Sequence, residues 1–148
     1  MIRLPKRIWF TGAPGSQWSG IAQEIETVSG INTSDHGPGR FYEHDNGLHN
    51  FLNHGGVYFG PEMEYEPLLD ANYIDSAWKE PGGTRIIKSH HWAYNLHEIT
   101  KKFPDDWIVL IYRPTLIAYS WWFESGGFSI TYPNYSWYKN ASKMLYEI

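Results

Sequence analysis

The chain has no cysteine. That removes disulfides, thiolate metal ligands and a cysteine nucleophile, and it leaves the redox compartment open. It has no apolar run near the roughly 20 residues that a membrane-spanning helix requires. Met1 to Phe10 carry basic residues without a sustained apolar stretch, so they do not read as a signal peptide. Positive charge is not in excess: 12 Lys and Arg stand against 16 Asp and Glu, a formal net charge of −4. A general nucleic-acid surface is therefore not expected, and any anion site must be local. His36, His44, His49 and His54 are scattered without helix-spaced ligands, so no metal is expected. Together these absences predict a soluble, cytoplasmic protein with neither a nucleic-acid nor a membrane partner. They say nothing about oligomeric state.

What is abundant is aromatic. Phe, Trp and Tyr make up 18% of the chain, with 8 Trp and 11 Tyr. That density suits a heavy core, a ring-lined ligand cleft, or both. A length of 148 residues fits one domain spanning 1–148, large enough to bury a core unaided.

Three short apolar runs stand out: Arg7 to Thr11, Thr84 to Lys88 after the turn signal Pro81-Gly82-Gly83, and Trp107 to Tyr112 after Pro104-Asp105-Asp106. The third is continuously apolar, as expected of a strand buried on both faces. Helical patterns follow each run. Trp18, Ile21, Ala22, Ile25 and Val28 share one face, with Gln23, Glu24 and Glu26 turned away and Gly30 as a C-terminal cap. Ala93 to Lys102 reads as a second helix, and Pro114 to about Phe123 as a third with proline in first place. Further helices are expected over Pro67 to Lys79 and Tyr135 to Glu147. Between Ile31 and Glu66 the periodicity is lost, which reads as a functional loop region or lid. Strand–helix alternation predicts an α/β fold: a parallel sheet flanked by helices, in three layers (α/β/α).

In open parallel sheets, ligands bind beyond the carboxyl ends of the strands. Each expected strand here ends in reactive residue types. The first leads into Gly12-Ala13-Pro14-Gly15-Ser16-Gln17-Trp18-Ser19, a strand-to-helix loop suited to an anion. It approaches the P-loop pattern, but Gln17 and Trp18 stand where a nucleotide kinase has Gly and Lys. The bland alternative is a Gly/Pro turn. The second strand ends in Lys88-Ser89-His90. Two residues apart on a strand, Lys88 and His90 would share a face, pairing a cation with a potential general base. The third ends at Arg113, with Ser120 about two turns into the next helix, a combination suited to a phosphate.

In combination these elements resemble the sulfotransferase family, whose P-loop-like α/β fold moves a sulfuryl group from 3′-phosphoadenosine 5′-phosphosulfate (PAPS) to a hydroxyl or amine. Gly15-Ser16-Gln17-Trp18 is similar to the Gly-Thr-Thr-Trp ending of the family's phosphosulfate loop. Lys88-Ser89-His90 matches its Lys-Thr/Ser-His element, and Arg113 with Ser120 resembles its 3′-phosphate pair. The resemblance implies that residues Gly12 to Ser19 bind the donor's 5′-phosphosulfate. It implies Arg113 and Ser120 on the 3′-phosphate, His90 as catalytic base and Lys88 as the neutralising cation. The acceptor would be a small molecule such as a sugar or phenol, covered by Phe41 to Tyr65, and no metal is needed. The family's basic residue in the loop is replaced by Ala13 or Pro14, which would shift sulfate-side charge to Lys88 or Arg40. The Arg-to-Ser spacing is one residue short, no Asn follows Arg113, and no basic cluster follows Gly126-Gly127.

Overall fold

Alternation along the first two apolar runs sets the sheet. In the computed structural model, described for residues 3–37, 55–61, 63–124 and 142, three parallel strands are ordered β2-β1-β3. They are β1 (Arg7–Gly12), β2 (Arg85–Lys88) and β3 (Trp107–Ile111). Ile8 pairs with Ile86 and Trp9 with Ile87, so side chains of like parity share a face. Ile8, Phe10 and Ile86 join Trp18, Ala22 and Tyr58 in one apolar cluster. Trp9 and Ile87 join Val57, Phe59, Ile74, Trp78, Trp92 and Ile99 in another, on the opposite face. Ile86 and Ile87 are 1% and 0% exposed, each contributing about 1.5–3 kcal/mol by burial.

The strands buried along their whole length are β1 and β2, not β3 as its apolar run suggests. β1 is central and β3 lies at the edge, leaving Trp107 42% and Leu110 53% exposed. Buried Arg7 is tolerated in β1 because its guanidinium donates to Asp75 at 2.8 Å and 3.0 Å.

Helix α1 (Trp18–Glu26) follows β1. It stops at Thr27, whose N–H and hydroxyl both reach Glu24 O, so Gly30 lies beyond it in the following turn. Trp18 and Ala22 are buried, Ile25 is half-buried, and Ile21 and Val28 are exposed. Glu26 does not turn away. One turn beyond Ala22 on the same face, it points inward. Helix α2 (Ala71–Asp75) is shorter than the expected 67–79 span and is capped by Asp70, whose Oδ1 accepts from Tyr73 N at 2.8 Å. The expected helix from Ala93 is a 3-10 turn (His90–Tyr94) followed by α3 (Leu96–Lys102). Helix α4 (Thr115–Glu124) starts directly after Pro114.

Part of the expected lid is core. Val57, Tyr58 and Phe59 are buried, and Phe59 N donates to Lys88 O at 2.9 Å, extending the pairing past β2. Arg40, His44, His49, His54 and Gly126-Gly127 lie outside the described residues, as does the expected helix over 135–147 apart from Ser142. No described helix is long and apolar enough to cross a membrane.

Candidate functional site

Parallel pairing brings the strand ends to one edge. Phe10 lies opposite Lys88, and Gly12 opposite Ile111. The loop at 12–19, the Lys88-Ser89-His90 element and Arg113 therefore meet at the same side of the sheet.

The loop is tightly built. Ser16 N donates to Ala13 O at 3.0 Å, closing a turn over Pro14 and Gly15. Its glycines are required by packing. A Cβ on Gly15, whose φ is +78°, would lie 1.9 Å from Ala118 O of α4. One on Gly12 would meet Trp18 Cβ at 2.6 Å and Ser16 Oγ at 2.7 Å. Gln17, the N-cap of α1, has φ 65°, the left-handed region that costs a non-glycine residue on the order of 1 kcal/mol. It occupies the place where the kinase pattern has glycine.

No side chain caps α1, and its first turn holds no acidic residue. Ser16 is 5% exposed, and its Oγ has no hydrogen-bond partner among the described residues. Leaving such a hydroxyl unmatched costs about 1–3 kcal/mol. An anion at this turn would satisfy the open amides of α1. Pro14 is buried, Ala13 and Ser19 are half-buried, and Gln17 is exposed.

The strand does not reach His90. It ends at Lys88, and Ser89 starts the 3-10 turn by accepting from His91 N at 2.9 Å, so Lys88 and His90 do not share a strand face. His90 Nδ1 lies 2.6 Å from Gly12 O. A carbonyl only accepts, so Nδ1 carries the proton and Nε2 keeps its lone pair. That lone pair accepts from Trp18 Nε1 at 3.3 Å, with the two rings edge-on at 4.6 Å. Burial pushes the imidazole down to about 3, outweighing the Gly12 carbonyl, with a smaller push from His91. The ring is thus a neutral clasp joining β1, α1 and the 3-10 turn. Half-buried His91 is also lowered by burial.

Lys88 is 1% exposed and fully engaged. Its Nζ donates to Glu26 Oε1 at 2.6 Å and Gly55 O at 2.7 Å, and stands 4.9 Å from the Tyr58 ring centroid. Glu26 Oε2 is 3.3 Å from His36 Nε2. Burial alone would raise the Glu26 carboxyl. His36 and Lys88 outweigh it and hold the group below its ordinary value. Asp35, 2% exposed, accepts from Val57 N at 2.9 Å beside this group. Sequence reasoning missed Glu26, His36 and Asp35. The detectable signal was the Trp18-Ala22-Glu26 spacing, which puts all three on one face of α1.

Arg113 is half-buried and donates from Nη1 to Gly15 O at 3.2 Å, which places its guanidinium against the loop. Ser120 is exposed. Ala118 and Trp122 form the buried stripe of α4, and Ser120 falls on the opposite side of that helix. The structure therefore brings Arg113, but not Ser120, to the loop. Asp106, before β3, accepts from Trp9 Nε1 at 3.0 Å at the amino edge, away from the loop. Among the described residues no three His, Asp or Glu side chains are grouped as metal ligands.

Compared with protein-family models, with curated proteins and with solved structures, the chain has no significant match.

Proposed function

We propose that the chain is a sulfotransferase on a three-layer, P-loop-like fold, transferring a sulfuryl group from PAPS to a hydroxyl or amine acceptor. The observation that carries this reading is the open turn where the loop enters α1. It combines an uncapped helix N-terminus, a buried hydroxyl without a partner and an adjoining guanidinium. The Lys88-Ser89-His90 element at the same sheet edge supports the choice of sulfuryl chemistry.

In this reading the donor's phosphosulfate lies on residues 12–19. The acceptor oxygen attacks sulfur, and the bond from sulfur to the bridging oxygen breaks. Adenosine 3′,5′-bisphosphate leaves. The acceptor proton passes to His90 Nε2, the ring nitrogen that carries no proton in this tautomer and now accepts from Trp18. Gly12 O orients the base through Nδ1–H. Trp18 Nε1 must first release Nε2, so entry of the substrates displaces that one hydrogen bond. Positioning and electrostatics supply the rate, by analogy with phosphoryl transfer. The acceptor is a small molecule, a sugar or a phenol.

A second reading, a non-catalytic nucleotide-binding module, is favoured by two observations: Lys88 is neutralised by Glu26, and both His90 ring nitrogens are engaged. Transfer of labelled sulfuryl from PAPS to a panel of sugars and phenols separates the two readings. Turnover by the wild type that is lost in His90→Ala supports the enzyme. Donor binding without turnover supports the module.

A further inference from the structure

An anion seated on the loop needs a cation nearby, and the loop supplies none: residues 12–19 contain no Lys or Arg. Most other described cations are committed elsewhere. Lys6, Arg7 and Arg85 converge on Asp75 at 2.7–2.9 Å, near the start of the strands. Lys88 is paired with Glu26 at 2.6 Å. Lys101 and Lys102 close α3, where Lys102 donates to Leu69 O. Arg113 differs. Its one hydrogen bond goes to the loop's own Gly15 O, and it has no carboxylate partner among the described residues. A guanidinium carries five N–H donors in a planar fork that fits phosphate and sulfate oxygens. Most of that fork remains unused beside the uncapped turn of α1. Ser120, the expected companion for a 3′-phosphate, lies on the outward side of α4.

We propose that Arg113 supplies the positive charge for the phosphoryl or sulfuryl group held on residues 12–19. The nucleotide is then recognised by its 5′ end, with no group placed beside it for a 3′-phosphate among the described residues. This rests on the reading of the loop as a nucleotide site. It also assigns Arg113 the task performed in nucleotide kinases by the lysine that Trp18 replaces.

The test is calorimetric titration of wild type, Arg113→Gln and Arg113→Lys with adenosine 3′,5′-bisphosphate and with adenosine 5′-monophosphate. Circular dichroism establishes that each variant is folded. The wild type is expected to bind the two nucleotides within about threefold of each other. Arg113→Gln is expected to weaken both equally, by about 10- to 100-fold, and Arg113→Lys to recover part of the loss for both. Three outcomes overturn the proposal. A preference for the bisphosphate that disappears in Arg113→Gln returns Arg113 to the 3′-phosphate. Unchanged affinities in both variants remove Arg113 from the site while leaving the nucleotide reading intact. No binding of either nucleotide by the wild type overturns the nucleotide reading itself, and this proposal with it.

Discussion

Replacing Glu26 by Leu tests whether Lys88 is locked. The substitution removes the carboxylate that Lys88 Nζ meets at 2.6 Å and leaves a buried ammonium with Gly55 O and the Tyr58 ring as its remaining partners. Two charges about 4 Å apart attract by about 4 kcal/mol at an effective dielectric of 20. Removing one member of a buried pair typically costs about 3–5 kcal/mol, because the other charge stays desolvated. That is a large share of the roughly 5–15 kcal/mol that holds a domain together. Urea unfolding followed by tryptophan fluorescence should show the loss as a lower midpoint at unchanged slope. The double variant Glu26→Leu/Lys88→Met buries no charge at this pair and should recover to within about 1 kcal/mol of wild type. A loss below about 1 kcal/mol in the single variant, or a double variant no better than the single, would refute the buried pair. The outcome bears on function, since a Lys88 held by Glu26 cannot also neutralise a leaving group without first exchanging partners.

Acid should destabilise the fold in a defined window. His90 sits at about 3 rather than the ordinary 6.5, so its neutral form contributes stability in full above pH 6.5, and this is lost as pH falls toward 3. Between pH 6.5 and 4.5 the loss is about 2.5 kcal/mol, and His90→Gln should flatten that part of the stability–pH curve measured by thermal unfolding. An unaltered slope would mean that the ring is not held neutral. Glu26 and Asp75, both held below their ordinary values, add loss in the same direction at lower pH. Gly15→Ala puts a Cβ 1.9 Å from Ala118 O at a φ of +78°. It should cost more than about 2 kcal/mol in urea unfolding, and full stability would contradict the described contact between loop and α4.

The parallel sheet and the gathering of its strand ends were legible because both are local patterns. Ile8, Trp9 and Phe10 alternate between the two faces of the sheet, and residues at the ends of parallel strands must gather on one side. What escaped depends on partners distant in sequence. Nothing in Trp107–Ile111 marks it as an edge strand, because strand order is a tertiary property. Glu26 was read as solvated because charged helix residues usually are. Its partner Lys88 lies 62 residues away. The break in strand character at His90 had a local cause, the Ser89 hydroxyl accepting from His91 N, which competes with strand pairing. The loop's glycines are equally ambiguous in sequence. Gly12 and Gly15 are explained by close packing alone, so the case for a ligand moves to the open turn of α1.

The most direct test of the central claim is titration of the isotope-labelled protein with adenosine 3′,5′-bisphosphate, monitored by backbone amide NMR. Saturable shifts are expected, complete below millimolar ligand, centred on the amides of Ser16, Gln17, Trp18 and Ser19 and on the Arg113 side chain. No saturable shift at millimolar ligand, or shifts confined to other parts of the molecule, would contradict it.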